Sequence, residues 1–124
     1  TARPTDTSPL SKQGVYVHRL FGVDSANVER FVELSEEAWR TFETASEYQS
    51  ELQGLFRQVD HPESGGLMLL VTWYDRLESW ERSRTPPPEA AANFRERVLI
   101  TTRSVAYATR LLGTNPAVRG MGAG

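Results

Sequence analysis

The chain has 124 residues, 39% apolar and 24% charged, the proportions of a single ordinary globular domain. A formal net charge of −2 argues against nucleic acid or an anionic membrane as the main partner, because both reward clustered positive charge. The absence of cysteine excludes disulfides, thiolate catalysis and cysteine metal sites, and no apolar run approaches the ~20 residues of a membrane span.

Residues 1–13 are rich in Thr, Ser and Pro without periodicity, read as a flexible lead-in and lack the apolar core of an uncleaved signal peptide; the cytoplasm is the default expectation, since a signal peptide already removed would leave no trace. Val15 to Phe21 is a strand with Val15, Val17, Arg19 and Phe21 on one face and Tyr16, His18 and Leu20 on the other. Asp24 or Ser25 caps a helix reaching about Ala45, whose apolar stripe is Val28, Phe31, Ser35, Ala38, Trp39 and Phe42. A mixed strand from about Tyr48 to Val59, with Gly54 as a bulge, suits a sheet edge. The turn residues Asp60 to Gly66 join it as a hairpin to Leu67-Met68-Leu69-Leu70-Val71-Thr72-Trp73-Tyr74. That strand has no polar face, so its sheet needs a cover on both sides.

Asp75-Arg76-Leu77-Glu78 reads as a capping-box variant opening a short helix to about Arg84 that buries Leu77 and Trp80. Pro86-Pro87-Pro88 interrupts it. A further helix, Glu89 to about Arg103, follows with Ala91, Phe94, Val98 and Ile100 or Thr101 apolar, and Arg95, Glu96 and Arg103 on its charged side. Val105 to Leu112 is the last strand, and 113–124 is a flexible Gly-rich tail. The order β-α-β-β-α-β predicts an α+β, ferredoxin-like fold, a four-stranded antiparallel sheet with both helical units on one face. The uncovered apolar face then predicts a homodimer through sheet faces.

Tyr16-Val17-His18-Arg19-Leu20-Phe21-Gly22 resembles the first-strand signature of NIPSNAP-type proteins. Trp73 to Arg84 is similar to their third-strand-to-helix segment, and Phe94-Arg95-Glu96-Arg97 running into a final strand also fits. The likeness spans residues 14–112, a NIPSNAP-like domain, although Val17 and His18 stand where these families carry an acidic residue. It implies a dimeric α/β barrel, in a superfamily that includes cofactor-free quinone-forming monooxygenases, haem-degrading enzymes, muconolactone isomerases and small cyclases. It also implies a pocket between sheet and helices. Haem-degrading relatives pair a strand-three Trp with a strand-one Asn and a helical His; Trp73 matches, but the Asn and the His are missing here.

Three residues are the catalytic candidates. His18 reads either as a general base or as a core histidine bonded to a neighbour. Tyr16 and Arg19 would polarise a carbonyl. Arg19, inside an apolar strand, needs either an acidic partner or an anionic ligand. With strand one between strands three and four, Tyr16, His18, Thr72 or Trp73, and Tyr107 converge. Trp39, Trp73, Tyr107 and Arg57 are the substrate-binding candidates. Asp60-His61-Pro62-Glu63 lacks the spacing of a metal motif and reads as a solvated turn. The expectation is a small enzyme of isomerase, cyclase or monooxygenase type, needing no cofactor or metal and acting on a hydrophobic aromatic or polyketide-like molecule. The alternative is a non-catalytic homodimer that binds a ligand or a partner.

Overall fold

In the computed structural model, residues 3–6, 8–44, 49–63, 65–85 and 88–111 are described. Strand β1 (Val15–Val23) leads through a 3-10 turn at Ser25–Asn27 into α1 (Val28–Thr44). β2 (Ser50–Arg57) and β3 (Gly66–Tyr74) form the hairpin. α2 (Leu77–Ser83) and α3 (Pro88–Leu99) precede β4 (Thr101–Arg110). The strands build one antiparallel sheet in the order β2-β3-β1-β4, so the fold is ferredoxin-like α+β as predicted. The expected ends at Ala45 and Tyr48, the turn Pro86-Pro87 and the tail 113–124 lie outside the described residues.

The two central strands are those with apolar residues on both parities. From β1, Val15, Val17, Phe21 and Val23 face the helices; from β3, Met68, Leu70 and Tyr74 do so. Against them α1 lays Val28, Phe31, Ala38, Trp39 and Phe42, all buried, and α3 adds Ala90. Each such side chain contributes about 1.5–3 kcal/mol by leaving water. On the outer face Tyr16, Val71 and Trp73 form a smaller cluster. The register of β2 on β3 shifts between Leu52 and Gly54, where the bulge was expected.

Three local expectations change. Arg76, not Asp75, is the extended residue before α2 and makes no side-chain cap. Instead Asp75 Oδ1 accepts a hydrogen bond from Ser79 Oγ. α2 buries Ser79 and Ser83 rather than Leu77, which is 44% exposed, because its serines bond back to the end of β3 and to its own turn. The buried side of α3 is rotated by about one residue: Ala90 and Arg97 are inside, and Val98 is 69% exposed.

The lead-in is also held rather than free. Arg3 forms a bidentate pair with Glu43 (2.5 and 2.9 Å), and its carbonyl accepts from Leu55 N on the edge strand. Nearer the sheet, Lys12 Nζ lies 3.7 Å from the Trp73 ring centroid. No helix among the described residues is long and apolar enough to cross a membrane.

Candidate active site between sheet and helices

A cavity of about 440 Å³ opens between the helix-facing side of the sheet and the helical layer. Its walls are aromatic, with Phe21 from the sheet, Trp39 and Phe42 from α1, Trp80 from α2 and Phe94 from α3. Phe42 and Phe94 stack with centroids 5.6 Å apart, and Phe21 meets Phe31 edge-on at 4.9 Å. This size and lining suit a small organic molecule.

Four arginines line this space: Arg84 and Arg103 are exposed at its rim, and Arg19 and Arg97 carry their guanidiniums inward. Arg19 points to the helix side because it shares parity with Val17 and Phe21. Arg97 enters from α3, three residues after Phe94 on the same face. Arg97 is only 4% exposed, ringed by Phe21, Phe31 and Phe94 at 4.9, 5.5 and 4.7 Å. Its Nη1 donates to Ser35 Oγ at 3.2 Å. Arg19 Nη2 makes a long 3.4 Å contact with Ser104 Oγ, and its Nε is buried without a partner. Neither arginine pairs with a carboxylate among the described residues. The expected alternative of a structural ion pair for Arg19 is therefore not what these residues form.

Burial lowers the pKa of both groups. Desolvation brings Arg97 down to about 9, with the charge of Arg19 adding to the fall, so it remains protonated at neutral pH. Arg19 is lowered chiefly by desolvation and further by Arg84. Tyr74, also on the cavity wall, is pushed up by burial and stays a neutral hydroxyl; its Oη lies 3.2 Å from Ser83 Oγ.

The sequence-derived candidates divide between two faces. Arg19 and Trp39 line the cavity. Tyr16, His18, Trp73 and Tyr107 do converge, with Tyr16 opposite Trp73 and His18 opposite Tyr107, but on the outer face. Thr72 lies on the cavity side instead. One residue of parity thus separates the intended base His18 from the cavity. His18 Nδ1 lies 3.4 Å from Thr109 Oγ1, Tyr16 Oη donates to Lys12 O (2.7 Å), and Trp73 Nε1 donates to Gln13 O (2.9 Å). Arg57 is exposed at the end of β2, outside the cavity. Arg97, Tyr74, Trp80 and Phe94 were not among the site candidates read from the sequence. The spacing Ala90-Phe94-Arg97-Thr101 places an arginine on an apolar helical stripe, and is the signal that would have found Arg97.

The loop His61 has a structural contact, its Nε2 donating to Val23 O at 2.7 Å. No group of three metal-capable side chains occurs among the described residues.

A ferredoxin-like domain with a ligand-sized cavity beneath its sheet is the class these features define. Solved proteins share its fold. A NIPSNAP domain protein from Burkholderia xenovorans superposes with a TM-score of 0.64 at 13% identity, covering 82% of this chain and 98% of its own. A NIPSNAP family protein from Agrobacterium tumefaciens gives 0.62 at 13% identity (82% and 91%). A variant of SnoaB, a cofactor-independent oxygenase from Streptomyces nogalater, gives 0.57 at 14% identity (82% and 96%). The chain therefore has the NIPSNAP-like fold that its strand motifs implied; identities this low carry the fold and not an activity. The sequence matches no protein-family model and no curated protein.

Proposed function

We propose that this protein is a small-molecule enzyme of the isomerase, cyclase or cofactor-independent monooxygenase type, acting on a hydrophobic aromatic or polyketide-like compound in the cavity between sheet and helices. The observation that carries this reading is the pair of guanidiniums, Arg19 and Arg97, set without carboxylate partners among aromatic walls. The three reaction types share an enolate or phenolate. A fixed positive charge in a water-poor cavity stabilises that oxyanion far better than water does. In this reading Arg19 and Arg97 hold the developing oxygen charge, Tyr74 donates a hydrogen bond, and Trp39 forms a wall. His18 lies on the other face and takes no part in the chemistry.

The outer face has its own role. Val105 and Tyr107 on β4 are 43% and 55% exposed, and Phe56 on β2 is 41% exposed. Packing two such faces together makes a homodimer with Tyr16, His18 and Tyr107 at or near the interface.

The test is turnover of a panel of polycyclic phenols and enolisable aromatic ketones, followed by product mass and oxygen uptake. Turnover that drops at least about 100-fold in Arg97→Gln supports the reading. A second reading, a ligand-binding homodimer without catalysis, is favoured by one feature: no imidazole or carboxylate lines the cavity among its described residues. Ligand binding to the cavity with no turnover of any panel member would select it.

A further inference from the structure

The charged groups lining the cavity are all cations, and its other polar side chains are hydroxyls and indoles. Besides the two guanidiniums, Trp39 carries a buried Nε1–H without a partner, and Arg19 Nε–H is in the same position. Both residues line the cavity. An unpaired buried donor costs about 1–3 kcal/mol, and more where the group is charged. Two cations and an orphan indole N–H around one apolar space therefore leave a deficit that a bound acceptor would remove.

Three features narrow the acceptor. A neutral carbonyl offers lone pairs but no charge, and leaves both cations uncompensated. Phosphate is a strongly hydrated dianion, and the rings of Phe21, Phe31 and Phe94 around Arg97 give it nothing to replace its water. A carboxylate is singly charged, planar and matched to the guanidinium fork. An oxyanion that appears only during reaction would leave the site unsatisfied at rest, whereas a permanent carboxylate satisfies it on binding. The dimension fits as well: both guanidinium carbons lie beside the Phe21 ring, at 5.1 and 4.9 Å from its centroid, which puts them no more than about 10 Å apart.

We infer that the ligand of this cavity is an aromatic carboxylate, its acid group held by Arg19 and Arg97 and its rings packed against Trp39, Trp80 and Phe94. The inference rests on the reading of the cavity as a small-molecule site and adds the ligand's charge: one carboxylate balances one of the two cations and leaves a net positive charge and free N–H donors for oxygen charge that develops in reaction. Because Arg97 is stripped of water and Arg19 partly so when the protein folds, much of their desolvation is already met before binding, which is opposed by the ligand's own desolvation and its lost freedom of motion.

The test is calorimetric titration of the full chain with 1-naphthoate and with its neutral counterpart 1-naphthamide, in low-chloride buffer. The expected result is at least about tenfold tighter binding of the naphthoate, a preference abolished in Arg97→Gln and in Arg19→Gln and partly kept in Arg97→Lys. Arg19 is less buried than Arg97, so its variant serves if Arg97→Gln does not fold. Equal or tighter binding of the amide overturns the inference while leaving the cavity a site for aromatic molecules. Displacement of naphthoate by phosphate at equal concentration also overturns it, marking the arginines as an inorganic-anion site. If neither aromatic compound binds, both the inference and the reading beneath it fall.

Discussion

Arg19 and Arg97 converge on one ring, their guanidinium carbons 5.1 and 4.9 Å from the centroid of Phe21. Each lowers its own cost by lying near that electron-rich ring, yet each raises the other's by like charge, and the neighbouring Tyr74 supplies no counter-charge while it is neutral. Folding alone does not require this arrangement. An apolar side chain at either position would avoid the buried charge, so under the proposed function the pair is stability given up for binding.

The first expectation follows from that imbalance. Arg97→Met removes an unpaired buried charge and keeps much of the side-chain volume. Its cost is the hydrogen bond to Ser35 Oγ, about 1 kcal/mol, together with the attraction of the guanidinium to the Phe21, Phe31 and Phe94 rings. The desolvation it relieves is larger, by analogy with buried ions replaced by apolar residues, so the variant gains about 1–3 kcal/mol. Thermal unfolding should show Tm rising by several degrees as naphthoate binding disappears. A fall in Tm would identify Arg97 as a structural pillar of α3 and remove its assigned role.

pH tests the same group with a definite sign. Free in the unfolded chain, Arg97 keeps the high pKa of an ordinary guanidinium; in the folded chain burial brings it down to about 9. Between these values the unfolded state binds more protons, so this group makes stability rise with pH above about 9. The groups facing it are Arg19 on β1 and Tyr74 on β3, with Ser35 on α1 uncharged. Tyr74 acts oppositely: its pKa is raised above 10, so stability falls once the unfolded phenol ionises. The clean window is therefore pH 9 to 10. Comparing the wild type with Arg97→Met, the difference in Tm should narrow across that window. Naphthoate affinity should decline above about pH 9, while naphthamide affinity stays level. A naphthoate affinity that is flat to pH 10 counts against a charged Arg97 as the anchor.

His18 and Arg19 are chain neighbours with opposite fates, which makes them a direct test of face assignment. Arg19 belongs to the cavity and His18 pairs with Tyr107 on the far side of the sheet. His18→Ala should leave naphthoate affinity within about twofold of the wild type, whereas Arg19→Gln weakens it about tenfold or more. Equal losses from both would place the ligand somewhere other than this cavity.

Much of the fold was legible because it depends on patterns that tertiary context reinforces. The apolar run Leu67 to Trp73 demanded a central strand, the stripe Val28 to Phe42 demanded a helix, and Gly54 marked a bulge. The sheet order then followed from topology. The site was less legible because strand parity is decided by packing, and Tyr16, His18 and Arg19 all sit on an apolar strand. Arg97 was harder still. Arginine on a helix normally marks the wet side, and only the ring of three phenylalanines shows that this one is inside. α2 inverted the expected burial of Leu77 because two serines bond to the β3 end and within the turn.

The outer sheet face yields a further expectation. β4 leaves Val105 and Tyr107 43% and 55% exposed, beside Leu20 and His18 on β1. If a second copy covers this face, Tyr107→Asp places a carboxylate where it would lose water without a partner, costing several kcal/mol of association. Sedimentation equilibrium at micromolar concentration should give a dimer for the wild type and a monomer for the variant, with cavity binding retained. A monomeric wild type would contradict the proposed assembly.

Gly14 provides the last expectation, at the junction where the lead-in enters the sheet. Its φ of +147° belongs to a region that side chains rarely adopt, and a Cβ there would collide with Trp73 Nε1 and with the carbonyl oxygen of Tyr74. The obstacle is backbone as well as side chain, so rotation of the indole alone cannot relieve it. Gly14→Ala must shift the chain at Gln13, breaking the 2.9 Å bond from Trp73 Nε1 to Gln13 O and loosening Lys12 from the indole face. Strain and the lost hydrogen bond together cost about 2–4 kcal/mol. Chemical denaturation should show that loss with an unchanged m-value, and Trp73 emission should shift to the red. Because the collision lies on the outer face, naphthoate affinity at a temperature where the variant is folded should be unaltered. An Ala variant as stable as the wild type would mean that the lead-in does not hold this path over Trp73.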